Sequence, residues 1–388
     1  VRAQRLLWMS FAVSTFGTWL GFDAFPLIAI LALDAGPAEV SLLSAAGLAV
    51  GAVVAAPLGP WVEARRKRPV MVGSDLLRFA ALASVPAAYA LGGLTLTQLL
   101  VVSVVMSAAG IAFRAASGAY LKVLVPPAGL LAVNGRFEAT AWTATVLGPP
   151  LGNAAIGLFG PVTTVLADAV SYLVSAAGLR AIGGGEPAPA TVGGARPHVG
   201  WGYLLSRPFF VNTILVNGLI LATAPLLAVL MLGPLGFAPW QYGLAFGLPC
   251  LGGLLGSRLA RPLVTRFGEE RVLRVAGALR ACWSVGLAFV GPGPAGLALV
   301  IAVQFGLVTC MGVFNPVFVT HRLTRTPADR VARTLSAWSA AGNATVAALT
   351  VLWGLLAAVI GPRLAIGAAG VLLLATPLLL PRRAQPAR

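Results

Sequence analysis

The chain is 388 residues long, 58% of them apolar and only 10% charged, and its 27 Lys and Arg against 11 Asp and Glu give a formal net charge of +16. Its mean hydropathy is +0.90, and a water-soluble domain carries about 25% charged residues, so soluble globular, disordered and collagen-like chains are excluded. The composition implies an integral membrane protein.

A membrane helix needs roughly 20 mostly apolar residues to cross a hydrocarbon core about 30 Å thick. In chain order, the stretches between Gly/Pro and charge clusters predict spans over 6–33, 42–60, 70–90, 98–121, 136–157 and 162–182. A second set is predicted over 208–232, 240–260, 272–290, 295–319, 332–358 and 363–380. The first is too long for a cleaved signal peptide and runs directly into further spans.

All but four of the Lys and Arg fall in one set of alternate loops. Arg78, Arg114 and Arg280 lie within spans, and Arg363 is in the opposite set. The positive-inside rule places the basic loops in the cytoplasm, so both termini are expected there. The net charge thus reads as a topology signal and a contact with anionic headgroups, and needs no nucleic acid. Cys250, Cys282 and Cys310 stand in apolar stretches and suggest neither a disulfide nor a metal site. His198 and His321 fall in basic loops and are expected to be solvated.

The chain also repeats itself. At a shift of 202, Pro60, Val62, Val70, Leu77 and Arg78 meet Pro262, Val264, Val272, Leu279 and Arg280. At 199, Phe25-Pro26-Leu27 meets Ala224-Pro225-Leu226, and at 201 Gly160-Pro161 meets Gly361-Pro362. Six spans separate the matched points, so the halves are parallel repeats. The predicted organisation is an N-terminal six-helix half over 1–182, a cytoplasmic linker rich in Gly, Pro and Ala over 183–207, and a C-terminal half with a short tail over 208–388. This is the plan of transporters that rock about a site near the bilayer midplane.

Three motifs stand on this frame. The hairpin Gly59-Pro60-Trp61-Val62-Glu63-Ala64-Arg65-Arg66-Lys67-Arg68 has a Gly, an acid four residues on, and a basic cluster. The fifth span carries Gly135, Ala144, Gly148-Pro149 and Gly152-Asn153, a spacing of small residues that lets helix backbones approach. Leu124-Val125-Pro126, Ala132-Val133-Asn134 and Asp168-Ala169-Val170-Ser171-Tyr172 follow the same stretch.

Together these resemble the major facilitator superfamily. The hairpin is similar to its signature loop, with Glu63 for the usual Asp, and the fifth span is similar to its antiporter signature, with Ala144 and Asn153 as departures. The short motifs resemble the macrolide-efflux and enterobactin-exporter branch. The resemblance implies an all-α fold of 12 transmembrane helices in two parallel six-helix repeats. It also implies a cytoplasmic gate built from Gly59, Glu63, Arg65 and Arg68, which we expect Asp75 and Arg78 to join. From the fifth span it implies export in exchange for protons.

Ionisable groups inside spans are costly and mark function. Asp23 lies deep in the first span beside Pro26, with Trp19, Phe22 and Phe25 around it as a candidate aromatic cavity. It is the expected proton-coupling site, with Arg114 as its competitor or permanent partner and Asp168 as a second candidate. Asn217, Gln304 and Asn315 are candidate substrate contacts or interhelical hydrogen bonds. Arg280 repeats Arg78, yet Gly277 stands where Asp75 would recur, and no acid lies within a span of the second half.

The expected protein is a proton-coupled exporter of a hydrophobic or amphipathic small molecule in the bacterial cytoplasmic membrane. Its expected partners are that substrate, protons and membrane lipid; no cofactor, metal, nucleic acid or enzymatic centre is expected, and the chain is expected to act as a monomer. A proton-coupled importer, a lipid flippase, and a membrane-embedded enzyme or sensor are the alternatives.

Overall fold

A computed structural model of the chain describes residues 2–21, 24–33, 43, 53–54, 57–183 and 198–376, and every regular element among them is a helix. Phe22, Asp23, most of the predicted span 42–60 and the tail from 377 lie outside the described residues. The helices are α1 (Arg2–Leu20), α2 (Ala24–Leu33), α3 (57–63), α4 (Lys67–Ala90), α5 (Leu96–Leu124), α6 (Pro127–Phe159), α7 (Pro161–Arg180) and α8 (His198–Leu205). They continue with α9 (Pro208–Leu232), α10 (Pro239–Gly247), α11 (Cys250–Phe267), α12 (Glu269–Trp283), α13 (Gly293–Arg325), α14 (Val331–Ile360) and α15 (Pro362–Ala375). Among the described residues, eight helical stretches are long and apolar enough to cross a bilayer.

Local chemistry sets the helix starts. Pro127, Pro161, Pro208, Pro239 and Pro362 each occupy a first turn, where the missing N–H has no helical partner to lose. Gly160 before α7 and Gly361 before α15 have φ of 82° and 86°, a region that only glycine enters freely. The Gly-Pro pair that recurs in the sequence therefore recurs in backbone conformation.

Several helices outrun their predicted spans: 98–121 becomes Leu96–Leu124, 136–157 becomes Pro127–Phe159 and 295–319 becomes Gly293–Arg325. Hydropathy marks only the part of a helix that suits hydrocarbon, and these helices run on into their polar ends. The segment read as a linker contains α8, whose Trp201 packs, as Leu58 does, on the buried pair Ile111 and Ala340.

Contacts divide the chain into two compact units. The first holds Val1–Leu130, Thr143–Trp201 and Arg322–Asn343; the second holds Leu131–Trp142, Gly202–His321 and Ala344–Arg388. Each thus draws on both sequence halves. In the first, α4 packs on α5 and α7, and α1 on α7, around an apolar core that includes Ile28, Leu82, Val85, Leu99 and Val165. In the second, α15 packs on α9, α12 and the 3₁₀ turn Ser284–Phe289. Its core includes Leu219, Leu227, Met231, Val300 and Trp353.

α7 is turned inside out relative to a helix of a soluble protein. Asp168, Ser171, Tyr172 and Ser175 are buried, while Leu166, Val170, Leu173 and Val174 on the other side are 41–50% exposed. Hydrocarbon as solvent demands this arrangement, because polar side chains must find partners inside the protein.

Candidate functional site

The buried face of α7 is the centre of a polar cluster in the first unit. Its residues recur at helical spacing, so Asp168, Ser171, Tyr172 and Ser175 lie on one stripe. α1 meets this stripe with glycines. A Cβ at Gly17 would overlap Ser171 Oγ and come within 2.8 Å of Asp168 Oδ1, and one at Gly21 would lie 3.4 Å from Asp168 Oδ2. Asp168 therefore sits directly against the α1 backbone. Ser171 Oγ donates to the Asp168 carbonyl at 2.7 Å and lies 3.3 Å from its Oδ1. Among the described residues, no cation lies within ion-pair distance of this carboxylate.

One turn further along α7, Ser175 Oγ donates to Asp75 Oδ2 at 2.6 Å. Asp75 on α4 is fully buried, and its Oδ1 lies 3.6 Å from Arg78 Nη1. Arg78 Nη2 donates to the Ala109 carbonyl at 3.2 Å, and its guanidinium lies 4.9 Å from the ring centres of both Phe113 and Tyr172. Thr18 Oγ1 donates to the Ser14 carbonyl at 2.8 Å, which uses its one proton, so the 2.7 Å bond between Tyr172 and Thr18 is donated by the phenol. Arg114 stands mid-α5, is exposed, and curls back until Nη1 is 3.3 Å from where a Cβ of Gly110 would be. The expected pairing of Arg114 with Asp23 lies outside the described residues.

A second group gathers at the end of this unit that carries the basic turns. Glu63 of α3 accepts from Arg333 Nε at the start of α14, and both side chains are buried. Burial raises the Glu63 carboxyl above its ordinary value, and the bond from Arg333 offsets this only in part. Lys67 Nζ donates to the carbonyls of Val62, Glu63 and Arg65 at 3.0, 2.8 and 2.6 Å, satisfying the open end of α3. Arg68 donates to the Ile182 carbonyl and Lys122 to that of Thr326. Gly59 and Gly118 admit α14: a Cβ on Gly59 would lie 2.9 Å from Arg333 Cα, and one on Gly118 would overlap Leu335.

The second unit has its own polar contacts. Glu138 Oε1 on α6 accepts from Trp142 Nε1 at 3.0 Å and from Asn315 Nδ2 at 2.8 Å. Asn134 donates to Thr320 at 2.8 Å. Arg280 on α12, 1% exposed, donates to Asn217 Oδ1 at 2.8 Å and lies 3.8 Å from the ring centre of Phe314.

Set against the sequence reading, Asp75 and Arg78 are brought to α7 and α5 rather than to Arg65 or Arg68. The acid at the basic turns is Glu63, and its partner Arg333 is 270 positions away. Asn217 and Asn315 are engaged by Arg280 and Glu138, while Gln304 is half-buried on α13. Phe25 packs on the apolar core, and Trp19 lies against Gly148. Gly152 receives the backbone of Leu20, Gly135 lies close to the Ser257 carbonyl, and Ala144 is fully buried. α6 continues unbroken through Pro149 and Pro150. Phe22 and Asp23 lie outside the described residues. His321 is a correction: its Nδ1 lies 2.6 Å from Glu269 Oε1, because the end of α13 meets the first turn of α12. Ser175, Thr18 and Arg333 were missed. The Asp-Ser-Tyr-Ser stripe was readable from its spacing, whereas nothing local marks Arg333.

The family model for the Major Facilitator Superfamily matches residues 7–321. The chain belongs to the major facilitator superfamily, a class of membrane transporters. It is similar in structure to a bacterial homologue of the iron transporter ferroportin in an outward-facing state, with a TM-score of 0.83, 16% identity and 98% of each chain covered. It is also similar to the human organic anion transporter MFSD10 (TETRAN), with a TM-score of 0.72, 15% identity, and 97% of this chain and 98% of that one covered. The E. coli fucose:proton symporter gives 0.68, 13% identity and 97% of each chain. At these identities the likeness carries the fold alone. A search of curated proteins finds no match.

Proposed function

We propose that this chain is a proton-coupled antiporter that exports a hydrophobic or amphipathic small molecule, such as an antibiotic or other natural product, from the bacterial cytoplasm. The observation that carries the reading is Asp168, a buried carboxylate seated against the α1 backbone that has, among the described residues, the Ser171 hydroxyl beside it and no cation within ion-pair distance. An acid that can take up or release a proton without dismantling an ion pair suits a coupling site. Asp75 is tied to Arg78 and Ser175, and serves to hold that cluster together. Arg114, which keeps its charge, is the electrostatic competitor for a carboxylate or a substrate beside it. The small residues of α6 that admit Trp19 and Leu20 fit the antiporter-like motif.

In this reading the basic turns face the cytoplasm. The Glu63–Arg333 contact, with the backbone bonds from Lys122 and Arg68, holds that end closed. Proton uptake from outside at Asp168 releases substrate, the closed end opens, and deprotonation on the inside resets the cycle.

The test is accumulation of a panel of hydrophobic antibiotics in pump-deficient cells, with and without a protonophore. We expect lowered accumulation that the protonophore and Asp168→Asn each abolish, with the variant present in the membrane at wild-type level. An Asp168→Asn protein that still exports would overturn the coupling role. Unchanged accumulation of every compound, together with no proton-driven flux in proteoliposomes, would overturn the reading as a whole.

A further inference from the structure

We propose that the groove formed by α3, α4 and α5 at their basic end is a binding site for one anionic glycerophospholipid of the leaflet that the basic loops face. The groove has a volume of about 670 Å³ and lies wholly within the first unit. Its walls are apolar, from Leu58, Trp61, Val70, Leu77, Ala108 and Ala112, and Arg65 and Arg66 stand at its mouth. A slot with hydrocarbon walls and cations at one end matches an acyl chain below a phosphate.

Four further observations support this occupant. Gly73 lines the middle of the groove inside α4, and a Cβ built there meets nothing within 4 Å. Glycine in a helix interior costs about 0.5–1 kcal/mol relative to alanine, and here no neighbouring atom requires it, so the open space lies along the path of a guest chain. Trp61 is 44% exposed beside the turn, as an indole is when it sits at headgroup depth. Arg65 lies 4.7 Å from that ring's centre, which parks a guanidinium over the mouth. Among the described residues no carboxylate pairs with Arg65 or Arg66, so their charge is available to a phosphate.

Basic residues clustered at the ends of membrane helices attract anionic headgroups. This groove adds a shaped place for the chain, which sets one lipid apart from the bulk. Glu63, whose contact with Arg333 joins α3 to α14, is two residues from Arg65, so an occupied groove loads the same turn.

The test uses the full-length protein purified in detergent, titrated with phosphatidylglycerol or phosphatidylethanolamine and read by native mass spectrometry. We expect one phosphatidylglycerol to bind more tightly than any phosphatidylethanolamine. Arg66→Gln should weaken it about fivefold, the loss of one cation near a lipid surface. Gly73→Leu should remove that single lipid, and Gly73→Ala should leave it in place. Arg66 lies in an exposed turn, so its variant remains informative if Gly73→Leu fails to fold. Equal retention by wild type, Gly73→Leu and Arg66→Gln would overturn the site. Equal affinity for the two lipids would overturn its charge selectivity, and displacement by glycerol phosphate alone would show that the groove takes no chain.

Discussion

Arg78 and Arg280 occupy matching places in the repeat, and each is buried in the membrane part of its unit, yet they are neutralised in different ways. Arg78 has a carboxylate, Asp75, one turn away, and the ring of Phe113 beside it. Arg280 has Gly277 where the acid would be; a Cβ there would lie 3.2 Å from the Phe314 ring, and that ring comes within 3.8 Å of the guanidinium. Phe314 and Phe113 are themselves 201 positions apart, so the ring is common to both units and only one keeps the acid. The same holds on the partner helix, where Asp168 falls on Ala369, fully buried in the apolar core. At these matched positions the first unit keeps carboxylates and the second has Gly277 and Ala369 in their place; Glu138, a partly buried acid of the second unit, sits elsewhere, on α6.

The largest expected effect breaks this comparison directly. Asp75→Ala leaves Arg78 buried without a counter-charge and should lower stability by about 3–5 kcal/mol. Arg280→Met should cost only about 1–2 kcal/mol, since it removes a hydrogen bond and a ring contact but strands no charge. Thermal unfolding in detergent compares them, and equal losses would show that Arg280 has a counter-ion after all.

Glycine contacts sharpen the comparison. Gly17 on α1 and Gly218 on α9 are also 201 positions apart; a Cβ on Gly17 would overlap Ser171, and one on Gly218 would lie 2.7 Å from Thr345 Cγ2. Alanine at either site should cost about 1–3 kcal/mol by overpacking. Only Gly17→Ala also pushes on the Asp168 carboxylate. Proton-driven flux should therefore fall further in that variant than in Gly218→Ala when the two are matched for folded protein.

The smallest effect concerns pH. Separating α3 from α14 returns Glu63 to water and to an ordinary value of about 4.3, so opening releases a proton that the closed contact retained. The closed contact is therefore favoured as pH falls toward that value and weakened as pH rises through the raised one. Spin labels on α3 and α14 should report a distance that shortens in acid, and Glu63→Gln should flatten the response.

Much of this was legible in the sequence, for definite reasons. Hydropathy exposed the helices because hydrocarbon leaves no alternative backbone, and the Gly-Pro turns exposed the repeat because their geometry demands those residues. Of the two acids of the polar cluster, Asp168 stood out as a charge where none belongs, whereas Asp75 was read with the gate. Their partners did not, because Ser175, Thr18 and the Ala109 carbonyl are unremarkable until packing brings them within reach. Glu63 was read as part of a gate, but its bond to Arg333 spans two helices far apart in the chain, and no local pattern encodes such a distance. His321 was misjudged for the same reason: a loop position says nothing about which helix end it will meet.

The polar stripe of α7 also bears on how the protein is made. A carboxylate at the centre of a lone membrane helix costs about 3 kcal/mol on insertion, and hydroxyls beside it supply no counter-charge. α4 can enter the bilayer with its own Asp75 and Arg78 facing one another, but α7 brings Asp168 with no cation of its own at that depth. It needs α1 and α4, and both have already left the ribosome when α7 emerges. Chain order thus delivers the partners before the helix that depends on them, and a circular permutant that starts at α7 would have to hold its acid in lipid until α1 arrived.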